Sequence, residues 1–199
     1  MEEVAPGVRR WTAIHPNTGI ESSCHWAVEA EAVMDPLLPP DAGLDAFRER
    51  PPKQVLLSNR HHIRDSERFV EEFESLIRCS RPGMHEFEDG PPVEPFDFGD
   101  EVAPGIEAIE IGAICPDETA LLVGPARALL VADGLRHDRG DRLTFFQDRL
   151  LGDDPEGVKR GLREAYRGVL DRDFDTLLFA HGEPIRGDAK EVLEAFCEE

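Results

Sequence analysis

The stretch "LSNRHHIRD", residues 57 to 65, places two adjacent imidazoles and a carboxylate directly behind an apolar run. Imidazole nitrogens and carboxylate oxygens are the donors that zinc, iron and manganese take in proteins. Two other places share the arrangement: in "ALLVADG" the apolar run is followed by Asp133, and in "DTLLFAHG" by His181. Strands leaving a buried sheet deliver their last residues to one edge of the core, so Asn59, His61, His62, Asp133 and His181 are candidates to converge despite their separation in sequence.

Each of these residues also has an ordinary structural use. His61 and His62 can hydrogen-bond a loop and cap the helix that follows. Asp133 before Gly134 has the form of a common turn, in which the carboxylate binds its own backbone. His181 is the most telling, because a histidine that ends a buried strand gains little from packing. Arg60 and Arg64 flank the histidine pair and would either bind an anionic group or pair with Glu67 or Asp65. His137, in "RHDRGDR", reads as a solvated loop residue, and His15 and His25 read as structural.

The elements that must position these groups follow from pattern. "GVRRWTAIH", "SCHWAVEAEAVMDP" and "QVLLS" are short apolar stretches between turn signals and predict strands. "DPLLPPDAGLDAFRERPP" predicts a proline-rich loop with a turn or two of helix. In "SERFVEEFESLIR", Phe69, Val70, Phe73, Leu76 and Ile77 recur at helical spacing. "IEAIEIG", "TALLVG" and "ALLVADG" predict three strands, the last two a hairpin across Gly124-Pro125. "GDDPEGVKRGLREAYRGVL" predicts a helix capped by Asp154 with Pro155 at its first position. "FDTLLFAHG" predicts a buried strand, and "GDAKEVLEAFCEE" a terminal helix with Asp188 and Glu191 at capping-box spacing.

The 199 residues are 40% hydrophobic and 7% aromatic, which suits one globular domain over 1–199. With 42 acidic against 22 basic residues the net charge is -20, so the surface repels phosphate backbones and anionic membranes; nucleic acid and membrane are not expected partners. The absence of a long apolar run or signal-like start predicts a cytoplasmic protein. Cys24, Cys79, Cys115 and Cys197 form no CxxC pair and read as free thiols.

Over nearly its whole length the chain resembles the metallo-β-lactamase-fold superfamily, whose members carry a His-x-His-x-Asp-His motif after a buried strand. In "SNRHHIRD", Asn59 stands at the first histidine and His61 at the second, while Ile63 and Arg64 occupy the aspartate and third-histidine places and Asp65 lies one step beyond. "IEIGAICPDETALLVG" resembles the strand-turn-strand that bears the next ligand, with Gly112, Ala113, Ile114 and Cys115 where that histidine is expected. "LLVADG" matches the metal-bridging aspartate through Asp133, "LLFAHGEP" the last histidine through His181, and the Asp35-Pro36 turn resembles one in the family's opening strands.

The resemblance implies an α/β (α+β) fold, a four-layer αββα sandwich. It also implies a site reduced to one zinc, iron or manganese ion on His61, Asp133 and His181, with Asn59, Arg60, His62, Arg64 and Asp65 as auxiliary ligands or pocket residues. Three ligands and an open position describe a catalytic centre that acidifies water, which Asp133 and His61 would help direct at a small ester, thioester or lactone. The missing ligands support an alternative, a metal-free scaffold that binds a small molecule or a protein.

Overall fold

Strand pairing builds two large sheets, each with one outer helical layer. The computed structural model describes residues 1–138 and 142–199. The first part of the chain gives β1 (Glu2–Ala5), β2 (Val8–Ile14), β3 (Glu21–Ala27), β4 (Ala32–Met34), β5 (Gln54–Leu56), α1 (Ser66–Phe73), β6 (Leu76–Ser80) and β7 (Val93–Phe96). The second gives β8 (Glu101–Ala103), β9 (Ile106–Glu110), β10 (Thr119–Val123), β11 (Ala128–Val131), β12 (Arg136–Asp138), β13 (Arg142–Thr144), α2 (Pro155–Gly168), β14 (Thr176–Phe179), β15 (Ile185–Arg186) and α3 (Ala189–Glu198). The strands β1 to β7 follow chain order in one sheet, the other runs β15-β14-β11-β10-β9-β8, and β12 pairs β13 in a separate ribbon.

The layer order follows from side-chain alternation, since neighbours along a strand face opposite sides of the sheet. Leu121, Val123, Ala128, Leu130 and Leu178 join Val8, Met34, Leu56 and Phe96 in a core between the two sheets. Their chain neighbours Leu122, Leu129, Val131, Leu177 and Phe179 face the other way, against Leu162 and Tyr166 of α2 and Leu193 and Phe196 of α3. On the far side of the first sheet, Trp11, Trp26 and Phe69 of α1 surround Phe47, each ring centroid within 5.7 Å of it. Three apolar interfaces between helix, sheet, sheet and helix make the expected αββα sandwich.

Where local pattern and tertiary pairing conflict, pairing prevails. The helical period through Leu76 and Ile77 predicts a longer α1, but the helix stops at Phe73 with Glu74 in the left-handed region (φ 57°). Leu76–Ser80 then fills the slot between β5 and β7, parallel to both. Asp154 caps α2 by accepting from the Gly157 N–H at 2.9 Å. Asp188 makes no side-chain cap on α3, so the spacing seen in sequence forms no capping box. The four cysteines are free. No helix among the described residues is long and apolar enough to cross a membrane.

One end of the sandwich gathers the ligand candidates. Within a largely antiparallel sheet, β11 and β14 are parallel, with Val131 opposite Phe179, so Asp133 and His181 leave the same edge. The first sheet is tied to that edge by the Ser23 N–H donating to the Ala180 carbonyl and the Thr119 N–H to the Ser58 carbonyl, both at 2.8 Å.

Candidate metal centre

Glycine packing fixes two of the turns. Gly134 lies so close to α2 that a Cβ there would run into the Tyr166 hydroxyl and come within 2.7 Å of Leu162. Its N–H donates to Glu118 Oε1 at 2.7 Å, which holds the Asp133 turn from the residue just before β10. Gly182 takes φ +112°, and a Cβ would strike the His137 carbonyl. Buried Arg10 grips this second turn, donating to the Gly182 carbonyl at 2.9 Å and to Glu183 Oε2 at 3.1 Å.

His62, Asp133 and His181 come together at this edge, with one ligand atom from each inside 4.8 Å of the others. Nε2 of His181 lies 3.2 Å and Nε2 of His62 3.4 Å from the same oxygen, Asp133 Oδ1. That oxygen is buried and makes no hydrogen bond among the described residues, although about a quarter of the whole Asp133 side chain is exposed (26%). The other oxygen, Oδ2, accepts from Asn59 Nδ2 at 3.1 Å.

Each histidine is oriented from behind. His181 Nδ1 sits 3.0 Å from the Glu21 carbonyl, which can only accept, so Nδ1 carries the proton. Nε2 is thus the atom turned toward the carboxylate oxygen, and either a proton on it or a bound cation would make that approach favourable. His62 Nδ1 lies 2.9 Å from Ser58 Oγ and 3.0 Å from Asp35 Oδ2. Buried Asp35 also accepts from the Ser58 N–H at 2.8 Å. Carbonyl and carboxylate partners behind ligand imidazoles are the usual outer support of a metal site. The donor set, its unpartnered oxygen and its oriented rings fit one ion.

Charge in the chain alone follows the same geometry. Burial opposes ionisation of Asp133, yet the His62 and His181 imidazoles outweigh it and hold the carboxyl well below its ordinary range. Burial and Arg64 act to lower His62, but Asp35 and Asp133 overcome both and raise it to about 9. Burial, then the charge of Asp133, pushes Glu118 up to about 7.

The ring brought to Asp133 and His181 is that of His62, one residue after the expected His61. Asn59 accepts the His61 N–H at 2.9 Å and starts a single 3-10 turn, Arg60–His62. At three residues per turn, successive side chains point about 120° apart, so only one of the adjacent histidines can face inward. His61 is exposed and lines a neighbouring cavity of about 440 Å³ with Asn59, Arg60, Glu118 and Asp133. Asp65 is occupied by the Leu38 N–H, accepted at 2.7 Å. Neither arginine fills the space between the ligands: Arg60 pairs with Asp117, and Arg64 donates to the Asp35 carbonyl at 2.6 Å.

His137 is no solvated loop residue. It lies in β12, with Nδ1 2.8 Å from the Glu183 carbonyl, and the 139–141 part of "RHDRGDR" lies outside the described residues. His15 Nδ1 accepts from the Asn17 N–H in a turn, as a structural role predicts. Asp35, Ser58, Asp117 and Glu118 are supporting residues whose roles depend on partners distant in sequence. The Asp35-Pro36 turn signal located one of them without disclosing its use.

No family model and no curated protein sequence matches the chain. Solved structures do. The DIM-1 metallo-β-lactamase superposes with a TM-score of 0.73 at 12% identity, over 99% of this chain and 95% of that one. A metallo-β-lactamase family protein of Thermus thermophilus, TTHA1429, gives 0.66 at 14% identity over 98% and 80%. TTHA1623, solved in a di-iron-bound form, gives 0.64 at 15% identity over 94% and 93%. The agreement spans both sheets and the outer helices at identities where the likeness is one of architecture. In its fold, this chain is a metallo-β-lactamase-like αββα sandwich.

Proposed function

We propose that the chain is a metal-dependent hydrolase of small esters, thioesters or lactones, with a single ion held by His62, Asp133 and His181. The observation that carries this reading is the oxygen Asp133 Oδ1, buried without a hydrogen bond and faced by two Nε2 atoms at 3.2 and 3.4 Å. The neighbours that the fold shares include a β-lactamase and a di-iron protein, which supports a metal-based activity of some kind. A bound zinc, iron or manganese ion would supply Lewis acidity toward a carbonyl and lower the pKa of water.

The chain's own residues do the rest. Asn59 fixes the Asp133 rotamer through Oδ2, and the Glu21 carbonyl fixes the His181 tautomer. Phe146 stacks edge-on against His181 at 5.3 Å between centroids and, with Leu151, forms part of the cavity wall. His61, exposed beside Asp133 in that cavity, is placed to hand a proton to a leaving alkoxide or thiolate.

A second reading has its own observation. Both ring nitrogens of His62 face carboxylates, Asp35 at 3.0 Å and Asp133 at 3.4 Å, so a doubly protonated ring would close the site without metal and leave a binding scaffold. Metal content of untagged protein, followed by zinc titration and assay on p-nitrophenyl esters, separates the two. Near-stoichiometric metal with turnover that a chelator abolishes is expected. Metal far below stoichiometry and no uptake of added zinc would replace the hydrolase with the scaffold.

A further inference from the structure

The cavity beside Asp133 has a definite charge character, which bears on what enters it. Resting on the hydrolase reading above, we infer that this cavity selects substrates whose distal end is uncharged and apolar, because buried Asp117 masks the arginine at its wall.

Among the described residues that line the cavity, the permanent cation is Arg60. Its guanidinium is paired to Asp117 Oδ1, its backbone N–H donates to Asp117 Oδ2 at 2.7 Å, and its Nε lies 4.0 Å from Glu86 Oε2. The Asp117 side chain is fully buried (0% exposed), so the pair is a fixed part of the wall. Asp117 is anchored in turn through its carbonyl, which accepts from Ser80 Oγ and Thr119 Oγ1, each at 2.9 Å. A guanidinium with a buried carboxylate on one side and a second carboxylate nearby has little left to offer an incoming anion.

The remaining charged groups of the wall are acidic. Asp133 and Glu118 both line the cavity, and Asp35 stands behind His62. Even a divalent ion on the three ligands would meet three carboxyl groups. Facing them, Ile114, Phe146, Leu150 and Leu151 form an apolar wall, with Leu150 unusually exposed at 47%. An acyl chain buries its surface there at no electrostatic cost, whereas a terminal carboxylate would be desolvated without a partner.

The test uses p-nitrophenyl butyrate and mono-p-nitrophenyl succinate, which differ in whether the acyl chain ends in a carboxylate. They are assayed side by side in one buffer, with the uncatalysed rate of each ester subtracted. The butyrate is expected to show at least about tenfold higher kcat/KM. Asp117→Asn, which uncovers the guanidinium, should narrow the gap to less than about threefold. Equal rates, or preference for the succinate, would overturn the inference.

Binding of N-phenylbutyramide and N-phenylsuccinamic acid to metal-free protein, followed by ligand-observed NMR, decides the matter even where neither ester is turned over. Absence of turnover speaks against the hydrolase reading. Binding of the amide but not the acid would still support the masked cavity, and binding of the acid, or of neither, would overturn it. Should Asp117→Asn fail to fold, Arg60→Met supplies the check: a masked cation predicts an unchanged preference, and weaker binding of the acid alone would refute it.

Discussion

The three candidate ligands arrive at the cluster by two kinds of delivery. Asp133 and His181 follow β11 and β14 almost directly, in turns whose glycines admit no side chain. His62 arrives on a one-turn helix begun by Asn59, behind the three-residue strand β5. The sheet pleat fixes direction with a period of two, so a residue just past a strand has few choices. A 3-10 turn adds a rotation for every residue, and a shift of one position turns a ligand into a cavity-lining group. A ligand at a strand end is thus a property of the sheet, while a ligand on a turn is a property of the cap that starts it.

The sharpest way to break the rigid side of that comparison is Gly182→Ala. A methyl group forced against the His137 carbonyl at φ +112° should cost about 3 kcal/mol or more in thermal or denaturant unfolding. Wild-type stability would show that this turn is looser than the geometry implies.

On the other side, His62→Ala should weaken zinc binding by more than about 100-fold, beyond the loss typical of an outer-sphere partner, while His61→Ala changes it by less than about threefold. Competition with a chelator of known affinity reads both, and the reverse order would restore His61 as the ligand. The support behind His62 should matter less than His62 itself. Asp35→Asn is expected to lower zinc affinity by about 10- to 100-fold, with Ser58 still bonded to the ring. An unchanged affinity would reduce Asp35 to a loop anchor.

Near neutral pH, the smallest effect lies outside both turns. His25 on β3 is fully buried with neither ring nitrogen partnered among the described residues, and burial, then Arg10, depresses it to about 3 from its ordinary 6.5. The unfolded chain takes up this proton below about pH 6.5 and the folded chain only near pH 3, so folding weakens as pH falls across that window, by at most about 1.4 kcal/mol per pH unit. His25→Leu should flatten the acid limb of a stability-pH curve relative to wild type. A parallel limb would locate the acid sensitivity elsewhere, in the ligand cluster itself.

The same contrast explains what could be read in advance. The pattern in "ALLVADG" and "FDTLLFAHG" located both strands and the two residues, Asp133 and His181, that meet beyond them, since uninterrupted apolar residues leave a buried strand as the natural reading. The helix read through Leu76 and Ile77 stopped short because β5 and β7 offered those residues a sheet position that no local period announces. β7 carries Pro95 and two exposed positions, and it escaped notice for lack of alternation. Among the site residues, Asp117 and Glu118 read only as part of "CPDET", because what defines them is Arg60 and Gly134, at the ends of other elements.

The parallel pairing of β11 with β14 also sets a timetable. A hairpin can close as soon as its second strand leaves the ribosome, but this pair must wait for all of α2 to be made between its strands. His181 is synthesised last of the three clustered residues, so a nascent chain exposes His62 and Asp133 well before the three can meet. The cluster of His62, Asp133 and His181 therefore cannot close until β14 has joined the second sheet.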